Sequence, residues 1–160
     1  MASYSAASNK RGGAILTGTV PLPACQPGRT GCGAAVDLGT TTVVVRLYDL
    51  ASGAELATGS GWNAQAPYGA DVISRIQYTL EQPDGLQELS QRIREQIWAL
   101  VSGALTRCGR APDALHEITL AGNTVMQHLF AGYSVRGIAA APFRPETLFA
   151  VPGGKTLHGV

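Results

Sequence analysis

The first strict pattern of apolar and polar positions begins at Gly33. There GAAVDLGTTTVVVRLYDL sets two runs rich in branched apolar residues on either side of a Gly-Thr turn. Such runs favour extended backbone and the turn folds one onto the other, so strands are predicted near Ala34–Leu38 and Thr42–Leu50. Asp49, Ser52 and Gly53 supply turn chemistry before a third strand, Ala54–Gly61, which gives a three-stranded antiparallel meander. Beyond the loop Trp62–Gly69 the period becomes helical. Val72, Ile73, Ile76 and Leu80 mark a short helix that Gln82-Pro83-Asp84-Gly85 ends. Leu86, Leu89, Ile93, Ile97, Leu100, Val101, Ala104 and Leu105 form the apolar face of a long amphipathic helix, with Gln91, Arg92, Arg94 and Glu95 opposite. Ile118–Ala121 reads as a short buried strand, and Thr124–Phe130 as a helix closed by Gly132.

A meander, then helices, then a further strand feeding a helix is an α/β plan, and it resembles the opening of an RNase H-like domain of the actin/Hsp70/sugar-kinase type, here a partial one. Residues 1–32, rich in Gly, Ser, Ala and Pro, read as a linker or flexible N-terminal segment, and residues 33–145 as a first subdomain. Residues 146–160 read as an irregular tail, so the domain is expected to be incomplete in this chain.

A formal net charge of +1 with no basic run offers no field for nucleic acid or an anionic membrane surface. No apolar stretch reaches the roughly 18 to 20 residues needed to cross a bilayer as a helix. Cys25, Cys32 and Cys108 show no CxxC spacing, which argues against a disulfide framework and a zinc site and for a reducing cytoplasm. Cys25 and Cys32 read as loop residues.

The candidate chemistry lies at the first turn, Asp37-Leu38-Gly39-Thr40-Thr41-Thr42. Gly39 lets backbone approach an anion, the amides and hydroxyls of Thr40, Thr41 and Thr42 can donate to phosphate oxygens, and Asp37 can hold Mg through water. Taken alone, DxGT is most often an ordinary hairpin turn; here the flanking apolar strands and the third strand favour a nucleotide. A second candidate is Gly122-Asn123-Thr124, between a strand and a helix, where Asn123 or Thr124 caps the helix. Asp71 and Arg75, four apart at the start of the short helix, read as a surface dipole and ion-pair device. His128 reads as a packing or hydrogen-bonded residue. Gly153-Gly154-Lys155-Thr156 fails as a P-loop, because Phe149 stands where its first glycine belongs.

Three blocks in order, GAAVDLGTTTVVVRLYDLASGAELAT, NAQAPYGADVISRIQY and LAGNTVMQHLFAGYSVRGIAAAPFRP, resemble the reductive activators of corrinoid-dependent enzymes. The hairpin alone also fits Hsp70 chaperones, sugar kinases and acyl-CoA dehydratase activators; the two later blocks narrow the family. The resemblance covers about residues 33–145. It implies coupling of ATP hydrolysis to one-electron transfer from an iron–sulfur cluster, reducing cob(II)alamin to cob(I)alamin on the corrinoid protein of a methyltransferase system. It implies ATP and Mg as ligands, catalytic roles for Asp37 and Asn123, and nucleotide contacts from Gly39, Thr40, Thr41, Thr42, Gly122, Asn123 and Thr124. The polar loop of the block Asn63-Ala64-Gln65 with Tyr68–Ile76, just before the short helix, is placed on the active-site or partner-facing surface. Neither cluster ligands nor a second ATPase half is recognisable in the sequence, so turnover by this chain alone is left open. The alternatives are another actin-like ATPase or sugar kinase, and a non-catalytic module that binds a corrinoid protein.

Overall fold

The computed structural model describes residues 29–147. A four-stranded sheet is built from β1 (Cys32–Leu38), β2 (Thr42–Asp49), β3 (Glu55–Trp62) and β4 (Leu115–Gly122) in the order β3-β2-β1-β4. β1 and β2 pair antiparallel, as do β2 and β3, while β4 runs parallel to β1. Three helices, α1 (Val72–Glu81), α2 (Gly85–Arg107) and α3 (Thr124–Ala131), complete the α/β arrangement.

Alternation in the first two strands puts Ala34, Val36 and Leu38 of β1 beside Leu47, Val45 and Val43 of β2, all buried on one face. That face is covered by Leu89, Ile93, Ile97, Val101, Ala104 and Leu105 of α2 and by Val125, Met126 and Leu129 of α3. Each large side chain so buried contributes about 1.5–3 kcal/mol, and together they fix the register, since a slip of one residue would turn the set outward. α3 is anchored at its C-terminus. Gly132 takes the left-handed conformation (φ 73°), and the Phe130 carbonyl accepts from Ser90 Oγ at 3.1 Å and Arg94 Nε at 2.9 Å.

Three expectations need correction. Cys32 is not in a loop: it pairs with Asp49 of β2 and Leu115 of β4 and is fully buried, because backbone pairing on both sides carries β1 past Gly33. Cys25 lies outside the described residues. Ile118–Ala121 belongs to a longer strand that is not buried; β4 is an edge, α2 packs on β2 and β3 at the other side, and Ile118 stays 40% exposed. In α1 the inward face keeps Ile76 and the half-buried Val72 as predicted but is shifted at its other positions. Ile73 and Leu80 are exposed, whereas Arg75 and Ile76 are buried, because Arg75 is drawn inside by carbonyl acceptors described below.

Among the described residues no helix is long and apolar enough to cross a membrane.

Candidate nucleotide site

β1 ends at Leu38 and β2 begins at Thr42, so Gly39, Thr40 and Thr41 turn the chain. The Gly39 N–H donates to the Thr42 carbonyl at 3.0 Å and closes the hairpin. A Cβ on Gly39 would stand 2.5 Å from that same oxygen, so the requirement for glycine is steric.

Successive carbonyls of this turn are held from behind by other elements. Asn63 Nδ2 donates to Gly39 O at 2.8 Å, Arg75 Nη2 to Thr40 O at 2.7 Å, and the Asn63 N–H to Thr41 O at 2.8 Å. Asn63 and Arg75 are buried, so these carbonyls face the interior. A trans peptide sets its C=O and N–H on opposite sides. The amides of Thr40 and Thr41 are therefore turned away from the interior, and neither donates to any group among the described residues. Thr41 and Thr42 are exposed and Thr40 is half-buried. Asp37, near the C-terminal end of β1, has an exposed side chain that takes no hydrogen bond or ion pair among the described residues.

The second predicted segment meets the first. Gly122 of β4 lies in register with Leu38, and a Cβ there would come within 2.8 Å of the Leu38 carbonyl oxygen. Asn123 is the residue that caps α3: its Oδ1 accepts from the Met126 N–H at 3.0 Å, while its Nδ2 donates to Thr40 Oγ1 at 3.1 Å. One side chain thus ties the helix start to the hairpin turn. Thr124 is exposed at the first position of α3 and makes no bond to the hairpin among the described residues. Replacing Asn123 by Ala should cost about 1 kcal/mol through the lost cap. It should also free the Thr40 hydroxyl, a change readable as a lower unfolding midpoint in urea with an unchanged slope.

The residues behind the turn are those that sequence reasoning missed. Arg75 Nε donates to Gly69 O at 2.9 Å, and Nη1 reaches Gln65 Oε1 and Met126 Sδ, each at 3.2 Å. Gln65, also buried, donates through Nε2 to Leu89 O of α2 at 2.9 Å. Arg75 is not the surface partner of Asp71. Asp71 caps α1 instead, accepting from the Ser74 N–H at 2.8 Å in a reciprocal capping box, which lowers its pKa. The available signal was Arg75 at helical spacing from Val72 and beside Ile76, a charge inside the apolar stripe. His128 is buried with Nδ1 2.7 Å from Thr124 O, as a structural residue of α3 would be.

The loop Asn63–Asp71 is latched a second time. Tyr78 Oη donates to Glu88 at 2.6 Å, Arg92 Nε donates to Tyr68 Oη at 3.1 Å, and the two tyrosine rings meet edge to face at 5.1 Å. The hydrogen bond to Glu88 pushes the Tyr78 pKa up to about 12, and the same bond lowers that of Glu88. A folded-state pKa raised above the usual value of 10.0 gives stability that is full below that value and is lost as pH climbs toward about 12. Tyr78→Phe should therefore flatten the alkaline fall of the melting temperature in that window. A fall as steep as in wild type would contradict the latch.

Among the described residues no three His, Cys, Asp or Glu side chains cluster so as to hold a metal directly. What the turn offers is a lone carboxylate beside outward amides and hydroxyls, a donor set suited to phosphate with a hydrated cation rather than to a protein-caged ion. The residues therefore fit a phosphate group with a hydrated Mg ion. They do not fit an iron–sulfur cluster: Cys32 is buried in β1, and Cys108, at the C-terminal end of α2, is the other described cysteine.

The region matched among known proteins contains all three sequence blocks. The family described as the RACo middle region matches residues 32–153. The corrinoid activation enzyme RamQ of Eubacterium limosum is 35% identical over 111 residues, spanning 69% of this chain and 19% of that protein. A solved reductive activator for corrinoid, iron–sulfur protein superposes with a TM-score of 0.74 at 39% identity, over 80% of this chain and 20% of that one. The chain thus spans about a fifth of the length of these relatives. With most of its residues matched, and with the hairpin, the Asn63–Asp71 loop and the β4–α3 junction inside the match, the chain belongs to the reductive activators of corrinoid-dependent enzymes, in their RACo middle region.

Proposed function

We propose that this chain forms the first phosphate-binding part of an ATP-dependent reductive activator, within an RNase H-like ATPase unit of the actin/Hsp70/sugar-kinase class. The strand order β3-β2-β1-β4, with β4 parallel to β1, supports that fold reading. The single observation that carries the nucleotide reading is the turn of the first hairpin, whose Thr40 and Thr41 amides face outward and are unused beside the exposed Asp37.

In this reading the two amides and the hydroxyls of Thr41 and Thr42 donate to phosphate oxygens. Asp37 orients a water of the Mg hydration shell, which places a negative charge against the cation. Asn123, held at the turn by its bond to Thr40, would use its remaining amide N–H to orient a terminal phosphate or the attacking water. Bound Mg–ATP supplies the hydrolysable bond; the chain's own part is binding and alignment.

The whole activator would use nucleotide turnover to reduce cob(II)alamin to cob(I)alamin on a partner corrinoid protein of a methyltransferase system, with the electron leaving an iron–sulfur cluster. The step is uphill at ordinary donor potentials, so the nucleotide must favour the state of the complex in which cobalt accepts the electron. The test is spectroscopic. A protein carrying this chain together with an electron donor should convert the corrinoid partner's cob(II)alamin absorption to that of cob(I)alamin only with Mg–ATP. Conversion at the same rate without nucleotide would overturn the reading.

A further inference from the structure

Arg75 is a fully buried guanidinium with an acceptor for each of its nitrogens, and none of them is a carboxylate. It takes part in no ion pair among the described residues. Its acceptors are the carbonyls of Thr40 and Gly69, the Gln65 side chain and the Met126 sulfur, all neutral. Such a burial is costly unless the charge is compensated, since removing a charge from water costs several kcal/mol even after relaxation. Guanidinium stays protonated in proteins, so the charge itself persists. The cation, which feels the Asp71 carboxylate through space but bonds no carboxylate, lies directly behind the tip of the hairpin, one hydrogen bond from Thr40 O.

We infer that Arg75 is the positioning residue of the phosphate site: it holds the Thr40 carbonyl inward, thereby aims the Thr41 amide outward, and places a buried positive charge behind the turn where a phosphate binds. The inference rests on the nucleotide reading above and adds to it a residue acting through the backbone rather than by touching the ligand. Three consequences follow from the bonds already given. The Thr40–Thr41 peptide has one orientation as long as Nη2 holds its oxygen. Low local dielectric makes the charge felt at the turn more strongly than a surface arginine would be. Because Nε and Nη1 hold Gly69 and Gln65, the turn and the loop Asn63–Asp71 are fixed by one side chain, so a ligand that orders the turn also orders that loop.

The experiment uses the full chain, with Mg–ATP and Mg–pyrophosphate as probes, calorimetry for affinity and the Thr41 amide resonance as the local readout. Wild type should bind both, and the Thr41 amide should move on binding. Arg75→Gln should bind both about 10- to 100-fold more weakly, with near-ultraviolet circular dichroism preserved and the Thr41 shift lost. General loosening of the core would not remove that shift selectively. Should Arg75→Gln fail to fold, Arg75→Lys decides, because it keeps the charge but cannot fork between Thr40 and Gly69: a loss of about fivefold or more supports the role. Wild-type affinity in a folded Gln or Lys variant overturns the inference while leaving the nucleotide reading intact. Failure of wild type to bind either probe overturns both.

Discussion

A Gly39→Ala chain is expected to unfold with about 1–3 kcal/mol less stability and to bind Mg–ATP about 100-fold more weakly than wild type. The added Cβ would stand 2.5 Å from the Thr42 carbonyl oxygen, a backbone atom that the hairpin bond itself holds in place. Relief requires the turn to open, which breaks the 3.0 Å bond from Gly39 N–H and swings the Gly39 carbonyl away from Asn63 Nδ2. The Thr40 amide then loses its outward aim. Charge-assisted hydrogen bonds to phosphate contribute roughly 1.5–3 kcal/mol each, so misplacing one or two accounts for the expected loss of affinity. Urea unfolding and calorimetry on the same preparation check both numbers. A variant that loses stability but keeps wild-type affinity would separate the turn from nucleotide binding.

The second large effect is expected at Asp37. Its side chain is exposed at the end of β1 and unpartnered among the described residues, so Asp37→Ala should change stability by less than about 0.5 kcal/mol and leave circular dichroism unchanged. Binding is another matter. A carboxylate that orients metal-bound water typically contributes about 10- to 100-fold to metal affinity, and the loss should appear in Mg–ATP binding and not in binding measured with a chelator present. Equal Mg dependence in wild type and variant would refute the role of Asp37. The pair of variants is informative because they fail differently: Gly39→Ala perturbs fold and binding together, Asp37→Ala binding alone.

Local sequence made some of this legible, and the missing parts share a cause. The hairpin and the inward set Ala34, Val36, Leu38, Val43, Val45 and Leu47 follow from β-branched runs around a Gly-Thr turn. The core face of α2 follows from its stripe, with Leu86 and Leu100 at the margin of what is buried. The capping role of Asn123 follows from its place between a strand and an apolar helix. Non-local partners were not legible. Arg75 and Asp71 stand four apart, which on a helix suggests a pair, yet the acceptors of Arg75 come from Thr40, Gln65, Gly69 and Met126, as far as 51 positions away. Once Arg75 turns inward, Ile73 must turn outward, and it is 65% exposed. β4 illustrates the same limit: its apolar run describes a strand, but whether a helix covers it depends on the path of α2, which packs at the other side of the sheet. Asn63 and Gln65 look like ordinary loop residues until the carbonyls they serve are known.

These supporting residues also give the loop Asn63–Asp71 a part in building the hairpin turn. It is not only surface. Through Asn63, Gln65 and Arg75 it forms the back wall of the hairpin turn, while Tyr68 ties it to Arg92 of α2 and meets the ring of Tyr78 in α1. A nucleotide bound at the turn would stand one peptide away from that wall.

If a phosphate binds at the turn of the first hairpin, the amide resonances of that turn report it. In a titration of isotope-labelled chain with Mg–ATP, the Thr40 and Thr41 amide signals should shift along one saturable curve, ahead of amides on the outer face of β3. Saturable binding that leaves those two amides unmoved, or no binding at all, would rule the turn out as the phosphate site.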